Sequence, residues 1–225
     1  MEIFESRPQR FHLLENGLQQ CGWNQQERLE LLEVGCGQGD AANWIAKTYH
    51  HNVLALDISR EWIWKAERMH SEEIKKQNLS FLCEDILDLK TTKEQFDGIY
   101  CEASLSSIVK IKETIKKMWD LLKPGGTLLV TDYLARSSHR ILEKGQNDIL
   151  CFQNIKTREE WEQLFEEQGF LLVYYKEFYG ELLQLGRWIC KNYKISPSQL
   201  YKKLGKQGKF PGSKNITYGQ MIFKK

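Results

Sequence analysis

Apolar residues recur along this chain in two alternating rhythms, one at helical spacing and one as short, nearly continuous runs. Phe11, Leu14, Leu18 and Cys21 or Gly22 fall on one side of a helix predicted over 8–23. A short strand follows over 29–34, then a helix over 40–49, a strand over 52–56 and a helix over 59–76 that Ser59 caps. Further strands are predicted over 79–83 and 96–101. Ile108, Ile111, Ile115, Met118, Trp119 and Leu122 form one stripe of a helix over 108–122, which Lys123-Pro-Gly-Gly126 ends abruptly. A fifth strand over 127–131 comes next. After Tyr133 the alternation loosens, then resumes with a helix over 158–168, a strand over 170–175, helical material over 181–206 and a last strand over 216–223.

Strands that are mostly apolar throughout, alternating with helices, belong to a sheet covered on both faces. The predicted fold is α/β: a doubly wound, mostly parallel seven-stranded sheet forming a single domain over 1–225. Two appendages are expected, an N-terminal helical cover over 1–24 and a helical flap inserted over 180–213, before the last strand.

Composition narrows the classes. With 225 residues, 41% hydrophobic and 28% charged, the chain can build a real core, and it is neither collagenous nor disordered. Its longest plainly apolar stretch, around Phe170 to Tyr175, is far short of the roughly 20 residues of a membrane span, and the first residues lack a signal-peptide pattern. A cytoplasmic location is expected, with the six cysteines as reduced thiols rather than a disulfide framework or a zinc site, since none forms a C-x-x-C pair. Net charge is only +2, yet nine lysines and no acidic residue fall within 191–225. Such a segment could hold nucleic acid, but it contains no arginine and few interleaved aromatics, so a solvated helical surface is the preferred reading.

The strongest local signal is Glu33-Val-Gly35-Cys36-Gly37-Gln-Gly39-Asp40, between the first strand and its helix. Glycines there let the backbone turn sharply and bring main-chain N–H groups close to a ligand. The dinucleotide fingerprint G-x-G-x-x-G is not met, because the third glycine comes one residue early. Asp57, ending the second strand, stands where a nucleotide site places a carboxylate for ribose hydroxyls. Beyond it come Glu84-Asp85-Ile86 after the third strand, Phe96 to Glu102 along the fourth, and Leu121-Leu-Lys-Pro-Gly-Gly126.

These stations, in this order, resemble the class I S-adenosylmethionine (SAM) dependent methyltransferases over roughly residues 29–135. The resemblance implies a Rossmann-like methyltransferase fold, SAM as cofactor and S-adenosylhomocysteine as its product. It places Gly35, Cys36, Gly37 and Gly39 around the methionine part of SAM, with Glu33 beneath the loop. It gives the ribose to Asp57, one face of adenine to Ile58, the adenine amino group to Asp85 and a backbone N–H to Ile86, with Glu102 beside the methionine portion or the acceptor.

Methylation of base or glutamine amino groups is disfavoured, since Cys101-Glu-Ala-Ser-Leu105 stands where those members carry Asn/Asp-Pro-Pro-aromatic. No metal is assigned, because Asp132 lacks a convincing carboxylate partner. The pattern is similar to the small-molecule branch that includes ubiquinone and menaquinone biosynthesis enzymes and arsenite methyltransferases. Cys151 falls in the register of a cysteine that arsenite methyltransferases keep, and thiolates suit As(III). The leading expectation is methyl transfer from SAM to a small-molecule acceptor. Arsenite or thiol methylation, an RNA or protein methyltransferase using the lysine-rich segment, and a non-catalytic SAM binder are the alternatives. Residues placed to bind or deprotonate the acceptor are Glu102, Asp132, Tyr133 and His139, at the ends of the fourth and fifth strands. His12, His50, His51 and His70 are expected at the surface. Two covers are expected over the crevice, one around Arg7 to Leu14 and one carrying Trp188, Tyr193, Tyr201 and Phe210. Oligomeric state is not indicated.

Overall fold

The structure, a computed structural model, describes residues 11–25, 27–90, 93–137, 154–199 and 215–225. Helix α1 (His12–Cys21) leads into strand β1 (Glu30–Val34), α2 (Asp40–Tyr49), β2 (Asn52–Asp57), α3 (Arg60–Met69), α4 (Ser71–Lys75) and β3 (Leu79–Cys83). Then follow β4 (Phe96–Glu102), α5 (Ile111–Leu121), β5 (Leu122–Ala135), α6 (Arg158–Glu166), β6 (Leu171–Glu177), α7 (Tyr179–Asn192) and β7 (Ile216–Lys224). The seven strands form one sheet in the order β3-β2-β1-β4-β5-β7-β6. β1 to β5 run parallel, and β7 is antiparallel to both of its neighbours. The chain winds outward from β1 to β3 and then returns to lay β4 on the other side of β1. That reversal opens a crevice at the carboxyl ends of β1 and β4, where open α/β sheets bind ligands.

Residue alternation along the strands divides the core in two. On one face Leu32, Ile99, Leu128, Val130 and Phe223 pack against Ile115 and Met118 of α5 and Trp161 and Phe165 of α6. On the other, Leu31, Val53, Ala55, Tyr100, Leu129 and Ile222 meet Leu14 and Leu18 of α1 and Ala42 and Ile45 of α2. This period of two across a doubly covered sheet is why the strands read as nearly unbroken apolar runs. α1 lies flat on β5 and β7: Gly17 lets it approach until a Cβ would sit 2.7 Å from Leu129, and Leu13 O accepts from Gln220 Nε2 at 2.7 Å.

Two elements depart from the sequence expectation. The helix expected over 59–76 breaks at His70, whose Nε2 donates to Gln38 O at 3.0 Å and lies 3.4 Å from Asp40, leaving α3 and α4 separate. β5 begins earlier than expected, because Leu122 already pairs with Phe96; Lys123 to Gly126 then form an irregularity before Thr127 pairs with Gly98. At the other end β5 runs on to Ala135 beside β7. Two histidines expected at the surface are buried. His51 is fully enclosed, accepting from Leu29 N at 3.2 Å on Nδ1 and facing Trp23 O at 2.9 Å through Nε2, while His70 packs beside Phe81. α6 starts with a capping box that the sequence reading did not use, Thr157 N donating to Glu160 at 2.8 Å and Glu160 N to Thr157 Oγ1 at 3.2 Å. Among the described residues no helix is long and apolar enough to cross a membrane.

Gly98, in the middle of β4, has no room for a side chain: a Cβ would overlap the indole of Trp23, itself buried. Gly98→Ala is expected to lower unfolding free energy by about 1–3 kcal/mol in urea denaturation. An unchanged midpoint and slope would show that Trp23 yields without cost.

Candidate active site

The loop after β1 is shaped by hydrogen bonds from both sides. Gly35 N and Cys36 N both donate to Leu56 O at 2.8 Å, folding the loop back onto β2. Gly35, Gly37 and Gly39 all have positive φ, at 78°, 56° and 78°. Their surroundings differ. A Cβ on Gly35 would overlap Ser104 and one on Gly39 would overlap Phe81, whereas a Cβ on Gly37 would meet nothing within 4 Å. Two of the glycines therefore serve close packing, and the third borders open space.

Asp57 joins this loop to the next. Its Oδ2 accepts from Gly37 N and its Oδ1 from Ser59 N, each at 2.8 Å. Ile58, immediately after, is 76% exposed, an unusual position for an isoleucine beside a loop so firmly tied. Asp85 also lies at the surface and accepts from Leu87 N at 2.9 Å, while the side chain of Ile86 is buried in the core. Cys36 is buried, its thiol 3.7 Å from Gly37 O, and burial pushes its pKa up, with Glu33 and Asp57 adding to the effect.

Beneath the loop sits Glu33, 2% exposed, which accepts from the Tyr100 hydroxyl at 3.1 Å and from Ala42 N at the start of α2. Burial, and then the charge of Glu102, hold its carboxyl well above the usual range. The crevice wall beyond is built by the β4–α5 connection. Ser104 Oγ donates to Val34 O at 2.5 Å, and its Cβ fills the space beside Gly35.

Of the four residues expected to face the acceptor, Glu102 and Tyr133 lie half-exposed at the ends of β4 and β5. Asp132 is placed differently: it is fully buried and accepts from Ser106 N at 2.8 Å, Ser106 Oγ at 2.7 Å and Tyr133 N at 2.7 Å. Strand alternation explains this, since Asp132 points to the face opposite Tyr133. His139 and Cys151 fall outside the described residues, as do Arg7, Tyr201 and Phe210 of the expected covers. Trp188 and Tyr193 belong to α7 and its end. The sequence reading missed Tyr218, whose ring centroid is 4.5 Å from that of Tyr133, and also Tyr100, Ser104 and Ser106. The short run of serines at 104, 106 and 107 was a signal for side-chain-to-backbone bonding; Tyr218 could be found only from the pairing of β5 with β7.

A match to the family described as "Methyltransferase domain" covers residues 25–169, more than half of the chain and all of the loops just described. The chain belongs to the methyltransferase domain family. Among similar curated proteins are an O-methyltransferase of Aspergillus sclerotiorum and a malonyl-[acyl-carrier protein] O-methyltransferase of Priestia megaterium. The first is 23% identical over 72% of this chain and 60% of its own length; the second is 31% identical over 54% and 42%. This methyltransferase-family chain thus spans less than two thirds of the length of those relatives. Among solved structures, the [4+2]-cyclase SpnF has a TM-score of 0.77 at 18% identity, covering 96% of this chain and 81% of its own. Phosphoethanolamine N-methyltransferase 2 of Haemonchus contortus, solved with S-adenosyl-L-methionine, has a TM-score of 0.74 at 17% identity, covering 96% and 52%. These two likenesses show the fold.

Burial raises the Asp132 pKa from 3.8 to about 6, against the lowering effect of its hydrogen bonds. In the unfolded chain the group ionises first as pH rises, so its contribution to stability is complete below about pH 4 and is lost through about pH 6, by roughly 3 kcal/mol at most. The unfolding free energy of the wild type minus that of Asp132→Asn is expected to fall across this window. A difference independent of pH would show that Asp132 does not titrate there.

Proposed function

We propose that this chain transfers a methyl group from SAM to a small-molecule acceptor. The observation that carries the reading is the open side of Gly37, bordered by the Asp57 carboxylate and the exposed Ile58. These residues fit the group. A ligand backbone can lie against Gly37 where any side chain would intrude, and Asp57 retains lone pairs for ribose hydroxyls after accepting two amides. Exposed Ile58 offers an apolar surface to a purine, and Asp85 lies at the rim beyond it.

When bound, SAM supplies a methyl group on a sulfonium whose departure as a neutral thioether needs no acid. What remains for the protein is to position the acceptor and hold or remove its proton, and positioning alone can supply about 7–11 kcal/mol. Glu102 and Tyr133 lie on the same side of the sheet as Glu33 and Asp57 and are the groups offered to the acceptor. Asp132 acts through Ser106, fixing the connection that carries Ser104 against the glycine loop. It is a positioning residue. Glu33, whose carboxyl burial holds well above its usual range, ties β1 to β4 and to the start of α2.

A small-molecule acceptor is supported by the residues after β4, where no Pro-Pro motif for an extruded base stands. Location in a reducing compartment such as the cytoplasm fits the free thiols of Cys21, Cys36, Cys83, Cys101 and Cys190. One domain over 1–225 is the simplest reading of a single sheet whose first helix and last strand pack on each other.

Calorimetric titration with SAM tests the cofactor site. Asp57→Ala is expected to weaken binding by roughly a hundredfold or more, and Gly37→Leu to abolish it while unfolding at a similar temperature to Gly37→Ala. Incubation with methyl-labelled SAM and cell extract then tests the acceptor, with label expected in the metabolite fraction and absent with Asp57→Ala. Label in RNA or protein instead would overturn the small-molecule reading.

A further inference from the structure

Strand pairing brings a carboxylate and two aromatic rings to one side of the crevice. Glu102 at the end of β4 pairs with Thr131 of β5, two residues before Tyr133, and Tyr133 pairs in turn with Tyr218 of β7. The three side chains therefore share one face of the sheet. The rings of Tyr133 and Tyr218 are inclined at 56° with their centroids 4.5 Å apart, and their hydroxyls share a hydrogen bond. All three residues are partly exposed. The backbone of Tyr218 also fixes the start of the flap, since its carbonyl accepts from Phe178 N, the residue before α7, at 2.7 Å.

Glu102 brings a negative charge to this face. Burial, the Tyr133 hydroxyl and the charges of Asp132 and Glu102 all raise the Tyr218 hydroxyl, and Glu102 acts in the same direction on Glu33 and Tyr100. An anionic acceptor would be repelled by the Glu102 carboxylate. An ammonium would gain a charge-assisted bond to a carboxylate and the electron-rich faces of two rings.

We propose that Glu102, Tyr133 and Tyr218 form an acceptor subsite for a protonatable amine, with Tyr218 as a specificity-determining residue. This rests on the methyl-transfer reading above. The amine enters as its ammonium and passes one proton to Glu102. Its freed lone pair forms the nitrogen–carbon bond as the carbon–sulfur bond of the sulfonium breaks, that bond's electron pair going to sulfur. The methylated amine leaves as an ammonium, and Glu102 returns its proton to solvent.

The test uses the full chain and calorimetry in two steps. S-adenosylhomocysteine is titrated first; the saturated protein is then titrated with phenethylamine, 2-phenylethanol and phenylacetate, which share a ring and differ in charge. Phenethylamine is expected to bind about tenfold tighter than the alcohol, and phenylacetate more weakly than either. Tyr218→Leu is expected to remove most of the preference for the amine, and Tyr218→Phe, which keeps the ring, only part of it. Both should bind S-adenosylhomocysteine as the wild type does. If Tyr218→Leu fails to fold, Tyr218→Phe and Tyr133→Phe carry the comparison, each expected to lower the preference about twofold or threefold. Normal binding of S-adenosylhomocysteine with no preference for the amine, or a preference that survives every tyrosine variant, overturns the subsite alone. No binding of S-adenosylhomocysteine overturns the methyl-transfer reading and the subsite together.

Discussion

One carboxylate, that of Asp57, holds the two loops at the switch point of the sheet in register. With one oxygen on Gly37 N and the other on Ser59 N, it ties the β1–α2 turn to the β2–α3 turn across 20 residues of chain. Charged acceptors make stronger hydrogen bonds than neutral ones, and both donors are main-chain groups near helix starts, where negative charge is favoured. The geometry has a functional consequence. The same group that would receive ribose hydroxyls also sets the path of the glycine loop, so recognition and loop shape cannot vary independently at this position.

Behind that contact the structure depends on buried acids. Glu33 joins β1 to β4 through Tyr100 and to α2 through Ala42, while Asp132 gathers Ser106 and the start of its own neighbour, Tyr133. Burying a carboxyl is costly unless donors surround it, and both residues meet that condition. Their pKa values rise for the same first reason, burial. The neighbours differ: the hydrogen bonds to Asp132 work against the rise, whereas at Glu33 the charge of Glu102 adds to it. Asp132 sets the connection after β4 in place, and Ser104 of that connection packs against Gly35.

How much of this was legible in the sequence follows from how local each signal is. The apolar runs of β1 to β5 and the stripe of Ile111, Ile115 and Met118 specified element type and order, because side-chain period depends only on nearby residues. Gly37 and Asp57 were legible for a similar reason, one lying in the turn just after β1 and the other ending β2 before its own turn. His51 and His70 were misplaced to the surface because polarity alone says nothing about a partner 28 or 32 residues away, such as Trp23 O or Gln38 O. The early start of β5 was hidden by Pro124 and the glycines after it, which read as a stop but here form an irregularity within the pairing. Asp132 and Tyr133 looked equivalent in sequence, and only alternation on a strand of known facing separates them.

The acceptor side depends on a different kind of information. Tyr218 meets Tyr133 because β7 inserts antiparallel between β5 and β6, a contact across 85 residues that no local pattern encodes. The proposed cofactor loops follow β1 to β3, which are joined by successive crossovers close in sequence. The proposed acceptor wall comes instead from β4, β5 and the reversed β7, with α7 starting from the Tyr218 carbonyl. One half can therefore stay constant while the other is rebuilt, since residues of β7 and α7 touch none of the glycine-loop bonds described. On the proposed subsite, the acceptor is selected less by the loop that marks the family than by the Glu102 carboxylate and the rings of Tyr133 and Tyr218, which β4, β5 and β7 bring to one face.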